Sequence, residues 1–269
     1  MKKILEFLFG KKEHPAKKHK DHVDCNMGIK EFNQNKRSKK FIEELNLNTQ
    51  AKKGGGKPPK GGGGGNSGGG GTPSTTTTFL LDFDGHTVSN TSWNFNGDII
   101  CAYAGLSFDE QQTIIDSVVN DYAAYNVIIT TDEAVYNAAP INKRMRCIVT
   151  ESYEWYGMAG GVGFVGSLTW GDNTPCFVFS SLLGYNNKNI REAISHELGH
   201  TCGLYHQSSY DANCVKISEY NYGGNGEAPI MGVAYYQENG HWWIGPNSYG
   251  CTSIQDDNAI LTQILGLKK

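Results

Sequence analysis

The folded part of the chain is marked by where its hydrophobic residues begin. Up to about residue 78 the sequence is polar, Lys-rich or Gly-rich, and regular apolar patterns start near Phe79. Short runs rich in β-branched and aromatic residues predict strands at residues 78–83, 126–131, 145–150, 160–166 and 176–180. Apolar residues at helical spacing predict helices at 108–125, 189–202 and 254–265. This order of strands and helices indicates an α/β or α+β domain.

These patterns divide the chain into three parts. Residues 1–50 are predicted to form a basic, disordered arm, which is a candidate pro-segment. Residues 51–78 form a Gly-rich and Thr-rich linker, since glycine adds backbone entropy and offers no side chain to bury. Residues 79–269 are predicted to fold as one domain. No run reaches the 18 consecutive apolar residues of a membrane span, so no transmembrane segment is predicted.

Charge is distributed unevenly along the sequence. Residues 1–60 carry a net charge of +9 and the remainder −12, within a total of −3. The basic arm could therefore dock on the acidic domain or another anionic surface, or remain a solvated tail. A rival interpretation makes the arm a nucleic-acid binder, but it lacks interleaved aromatic residues, so nucleic acid is not an expected partner.

Cysteine usage leaves the cellular compartment open. Six of the seven cysteines lie in the folded part and could form up to three disulfides, whose pairing the sequence does not give. Disulfides would imply an extracellular location. The first residues, MKKILEFLFGKK, have only about seven apolar positions and no small-residue cleavage site, so a conventional secretory signal is not expected.

The segment HELGHTCGLYH carries the most specific chemical pattern. His196 and His200 are four residues apart, so a helix places both imidazoles on one face. Gly203 is expected to end that helix, because glycine accepts the left-handed conformation, and to turn His206 towards the same point. Three neutral imidazoles with an open fourth position are typical of catalytic zinc. Glu197 could then take a proton from a water held there.

The complete HExxHxxGxxH pattern arises by chance in roughly one such sequence in twenty thousand. With Met231 in the segment APIMG, 25 residues after His206, it resembles the metzincin clan of zinc peptidases. The helix at 108–125 and the segments NVIITTD, GGVGFVGS and CFVFSS resemble the bacterial reprolysin-like branch. The resemblance implies a metzincin-like catalytic domain with a twisted mixed sheet, a backing helix, an active-site helix and a small C-terminal subdomain with a Met-turn.

This resemblance also implies a function. The chain would be a monomeric, zinc-dependent endopeptidase with one catalytic Zn²⁺, acting on protein or peptide substrates, and an extracellular location is favoured. It assigns the zinc to His196, His200 and His206, general base catalysis to Glu197, and supporting roles to Gly203 and Met231. Substrate would add a strand to the edge near residues 160–166. The alternative is a zinc-containing binding or adhesion module without turnover.

Several residues leave details open. Gln207 stands where many clan members carry an acidic residue, and Val233 where some branches carry a tyrosine, so the subfamily is undecided. Trp242 and Trp243 either shape the specificity pocket or pack in the core. Cys25 could occupy the open zinc position and enforce latency, or be an idle thiol; its surroundings, VDCNMG, do not match the known switch motif.

Overall fold

In this computed structural model, residues 76–269 are described together with one backbone strand at residues 22–25. The other residues of the predicted arm, and the predicted linker up to residue 75, lie outside the described residues. Within the described part no helix is long and apolar enough to cross a membrane.

A six-stranded mixed sheet forms the centre of the domain. Its strands are β1 (His22–Cys25), β2 (Thr77–Asp82), β5 (Val127–Thr130), β6 (Arg144–Thr150), β7 (Gly161–Phe164) and β8 (Cys176–Phe179). They lie in the order β1-β7-β8-β6-β2-β5. The four strands from β8 to β5 are parallel, whereas β7 and β1 are each antiparallel to their neighbour. Strands β2, β7 and β8 are buried along their whole length, which explains their nearly continuous apolar or glycine-containing sequences.

Within residues 76–269, four α-helices accompany the sheet: α1 (Phe108–Asp121), α2 (Glu133–Ala138), α3 (Asn187–Thr201) and α4 (Asp257–Leu265). Helix α1 begins with a capping box, in which Ser107 and Glu110 satisfy each other's backbone N–H groups. Helix α3 is capped by Asn186, whose side chain accepts from the backbone N–H of Asn189. Helices α1 and α3 pack against each other, and α3 also packs against β7 and β8.

Hydrophobic residues are buried on both faces of the sheet. On one face, Phe79 and Leu81 of β2 join Ile114 of α1 and Ile190 of α3 in the main core. On the other face, an aromatic cluster around Trp93 and Phe177 lies under a hairpin formed by β3 (His86–Val88) and β4 (Ile99–Cys101). The sheet is therefore the middle of three layers, with α3 on its main-core face.

The chain after α3 forms small two-stranded sheets. Their strands are β9 (Ser209–Tyr210), β10 (Lys216–Ser218), β11 (Glu227–Pro229), β12 (Asn239–His241), β13 (Ile244–Asn247) and β14 (Gly250–Asp256). A disulfide joins Cys214, next to β10, to Cys251 in β14. Within residues 76–269 the other four cysteines are buried thiols, so the three-disulfide alternative does not occur there.

The predicted α/β class is confirmed. The sequence analysis missed helix α2, the hairpin of β3 and β4, and the short strands after α3, and it misplaced the ends of two helices. Helix α1 ends at Asp121 rather than at residue 125, because Tyr122 is its cap and Tyr125 instead forms a bridge with Leu267. The predicted terminal helix at 254–265 was wrong in its first three residues, which belong to β14. Helix α4 starts only after Asp256, whose side chain caps it.

Candidate metal centre and active site

Helix α3 carries the first two histidines of the motif, and its end directs the third. Gly203 has a φ of +105°, a left-handed conformation that glycine adopts without steric cost. Its N–H donates to the carbonyl of His200 at 2.8 Å, and the N–H of Leu204 donates to the carbonyl of Gly199 at 3.1 Å. These bonds close the last turn and reverse the chain. As a result, His206 returns to the face of α3 that carries His196 and His200.

The three imidazoles form one buried group. One ligand atom from each ring lies within 4.8 Å of those of the other two, which is close enough to hold one metal ion. The ring centroids of His196 and His200 are 4.6 Å apart, and that of His206 is 5.2 Å and 4.9 Å from them. The group therefore has the size of a three-ligand metal site.

Hydrogen bonds orient each ring through its Nδ1 atom. Nδ1 of His196 lies 2.6 Å from the carbonyl oxygen of Ile230, and Nδ1 of His200 lies 2.7 Å from that of Leu204. Nδ1 of His206 lies 2.9 Å from Oε1 of Glu219. Since all three partners are acceptors, each Nδ1 carries the proton and each Nε2 keeps a lone pair.

The Nε2 lone pairs fit a metal ion. Among the described residues, no hydrogen-bond partner reaches the buried Nε2 of His196. A buried polar atom without a partner costs free energy, which a coordinated ion would remove. Burial, with the neighbouring ring of His206, lowers the pKa of His196 to about 3, and burial lowers that of His200 well below its usual value. Both rings are therefore neutral at physiological pH, as metal binding requires.

Glu219 is a component of this site that sequence reasoning missed. It follows β10, and its carboxylate also accepts from Nζ of Lys216 at 2.7 Å. Although burial opposes ionisation, these hydrogen bonds with His206 and Lys216 lower the pKa of Glu219. Glu219 lies 13 residues after His206 without any fixed spacing pattern, so the sequence contains no signal that would have identified it.

Glu197 belongs to α3, and its side chain is fully buried against β7. A Cβ atom on Gly161 would lie only 2.5 Å from its Oε1 atom, and one on Gly163 would lie 3.2 Å from its Oε2 atom. Both glycines are therefore needed for β7 to pass this close to the carboxylate. The sequence predicted an edge strand here, but β7 pairs with β8 on one side and with β1 on the other, and its contact with Glu197 was not anticipated.

Met231 lies in a tight turn beneath α3. The N–H of Gly232 donates to the carbonyl of Pro229 at 2.9 Å, and the N–H of Gln207 donates to the carbonyl of Met231 at 2.7 Å. A Cβ atom on Gly199 would lie 2.7 Å from Sδ of Met231. The absence of a side chain at position 199 thus lets the Met231 sulfur approach the helix between its two histidines.

Three of the residues whose roles the sequence left open have defined contacts in the structure. Trp242 packs on the main core, and its Nε1–H donates to the carbonyl of Asp121 at 2.7 Å. Gln207 is buried, and its Nε2 donates to Oδ1 of Asp257 at 3.1 Å. The backbone of Cys25 lies in β1, opposite Gly161.

A buried three-histidine group on a helix–turn segment, next to a buried glutamate, defines the class as a metal-dependent hydrolase. The family model described as dual-action HEIGH metallo-peptidase matches residues 86–240, and the chain belongs to this family. The letters HEIGH in that description correspond to residues 196–200 of this chain, HELGH, where Leu198 replaces isoleucine. No curated protein matches the chain. The chain is thus a metallopeptidase, and the match does not distinguish a reprolysin-like branch.

Proposed function

We propose that this metallopeptidase is a zinc-dependent endopeptidase with one Zn²⁺ held by His196, His200 and His206. The observation that carries the proposal is the orientation of the three rings, with every Nδ1 engaged by an acceptor and the ligand atoms within 4.8 Å. An all-imidazole donor set suits zinc, and three protein ligands leave a fourth position for chemistry.

Zinc bound there would lower the pKa of a water molecule and polarise the substrate carbonyl. Glu197 is the proposed general base. It follows the ligand His196 directly on α3, so its carboxylate can serve the same reaction centre. It would take one proton from the attacking water and pass it to the nitrogen of the leaving peptide. The C–N bond then breaks with the new amine neutral and Glu197 ionised again.

The proposed substrate-binding surface is the outer edge of β7. An extended peptide can bind there by antiparallel backbone pairing, in the way that β1 pairs with β7. A peptide held along a strand can continue past the reaction centre at both ends. This geometry favours cleavage within a chain over removal of a terminal residue, which is why we propose an endopeptidase.

Two further residues support the site in this proposal. Gly203 turns the chain so that His206 reaches the group, as its φ of +105° allows. Met231 would form the Met-turn, since its sulfur contacts α3 at Gly199 and the carbonyl of Ile230 orients His196.

We retain the bacterial reprolysin-like branch as the proposed relationship within the wider clan. We also propose an extracellular location, which the Cys214–Cys251 disulfide supports.

The decisive experiment compares wild type with Glu197→Gln. Both proteins are assayed with quenched fluorescent peptides that are acetylated at the N-terminus and amidated at the C-terminus, and zinc content is measured on each. Glu238→Gln serves as the matched control, because Glu238 is an exposed glutamate of the same charge.

We expect cleavage at internal bonds by wild type and Glu238→Gln, abolished by a chelator, with turnover reduced at least a thousandfold in Glu197→Gln at equal zinc content. Full activity of Glu197→Gln would refute its role as base. Cleavage only of peptides with free termini would refute endopeptidase activity. Full zinc content without cleavage, in the whole chain and in residues 72–269, would favour the binding module instead.

A further inference from the structure

The outer edge of β7 is occupied by a segment from the beginning of the chain. Strand β1 pairs with all four residues of β7, in the antiparallel register His22–Phe164, Val23–Gly163, Asp24–Val162 and Cys25–Gly161. Strand β7 pairs on its other side with β8. Without β1, β7 would therefore be the last strand of the sheet and would present unpaired backbone groups.

This edge lies beside the proposed catalytic base. Two of the four β7 residues, Gly161 and Gly163, contact Glu197, and α3 packs against β7. The register places Cys25 and Val23 opposite those same two glycines. Neighbouring strands of a sheet lie about 4.8 Å apart, so the backbone of β1 lies one strand spacing from β7, the strand that contacts Glu197.

One strand edge can pair with only one other strand at a time, because each outward backbone N–H and C=O group serves one partner. We propose that β1 is an internal competitor for the edge of β7, so that the full chain has low activity until this strand is displaced. The effect on hydrolysis rests on the proposed peptidase function, whereas the pairing itself does not.

Two features favour occupation by this segment over a free peptide. It belongs to the same chain, with 50 residues between Cys25 and Thr76, so its effective concentration is on the order of millimolar. Opposite charges add long-range attraction, since residues 1–60 carry +9 and the rest of the chain −12. A four-residue pairing that is weak between separate molecules can therefore compete with substrate within one chain.

Proline substitutions in the full chain test the pairing. In an antiparallel pair only alternate residues direct their N–H groups at the partner, so of two proline variants, at positions 23 and 24, one removes a pairing donor. The variants are Val23→Pro and Asp24→Pro, each matched with the alanine substitution, which keeps the backbone N–H. Cys25→Ser is added because it removes the thiol and keeps the backbone.

The first measurement is amide hydrogen exchange at Gly161–Phe164, which needs no catalysis. We expect at least tenfold faster exchange of the outward-facing amides in one or both proline variants, and unchanged exchange in the alanine and serine variants. A synthetic peptide of residues 20–28, added at 5 mM, should restore protection in the proline variant. Equal exchange in all variants, or failure of the peptide to restore protection, would overturn the proposal.

The second measurement is peptide cleavage by the same proteins, with mass spectrometry confirming that each chain is intact. Competition predicts a KM about two- to tenfold lower in the proline variants, with kcat unchanged. Equal KM values, or activation by Cys25→Ser as large as that by proline, would overturn competition by the backbone strand. If exchange behaves as expected but no variant cleaves any peptide, the pairing stands and the proposed peptidase function fails.

Discussion

Replacing Glu219 by alanine is expected to weaken zinc binding about tenfold without removing any of the three proposed ligands. The Glu219 carboxylate accepts from Nδ1 of His206 at 2.9 Å, so it fixes the tautomer and orientation of that ring. The Nδ1 partners of His196 and His200 are backbone carbonyl oxygens, which side-chain replacement does not remove.

The magnitude follows from the exposure of this contact. Losing a partner that orients a metal ligand typically lowers metal affinity 10- to 100-fold. The Glu219 side chain is 43% exposed and is shared with Nζ of Lys216, so water and a second cation weaken the bond to His206. We therefore expect the lower end of the range, about tenfold or about 1.4 kcal/mol. Glu219→Gln keeps an acceptor and should lose only about threefold.

The assay is competition for zinc against a chromophoric chelator at pH 7.5. Glu238→Ala is the control, since it removes one exposed negative charge elsewhere on the surface. The expected order of affinity is Glu238→Ala equal to wild type, then Glu219→Gln, then Glu219→Ala. If Glu219→Ala binds zinc as tightly as Glu238→Ala, the carboxylate does not position His206.

Three further predictions concern stability and domain limits. Burial raises the pKa of Asp257 to about 6, so the folded state favours the protonated carboxyl. The resulting contribution to the free energy of unfolding is fully present below pH 4 and is lost as the pH rises through 6. The free energy of unfolding in urea should accordingly fall by up to about 3 kcal/mol over this range, and less in Asp257→Asn; equal slopes would contradict this. Replacing both Cys214 and Cys251 by serine should lower that free energy by up to about 4 kcal/mol, because the bridge closes a long loop; an unchanged urea midpoint would argue against it. Deleting residues 1–71 should leave a folded domain, and loss of zinc binding on deletion would contradict the boundary predicted at residue 79.

Much of the fold could be predicted because its signals are local. The buried strands β2, β6 and β8 have apolar sequences that distinguish them from the loops around them. The start of α4 could not be placed in this way, since the apolar and polar residues at 254–256 are compatible with either a helix or a strand. Pairing with β13 decided that they form β14.

For the site, the sequence by itself determined the three histidines, the adjacent Glu197 and the glycine that ends α3. Four-residue helical spacing and the left-handed conformation of Gly203 act within a few residues, so they can be read from the sequence. Only the tertiary structure placed Glu219 against His206, two glycines of β7 against Glu197, and β1 on the edge of β7. These contacts join residues far apart in the chain. Their partners are fixed by the order of strands in the sheet and the packing of α3 on it, which no local pattern of residues encodes.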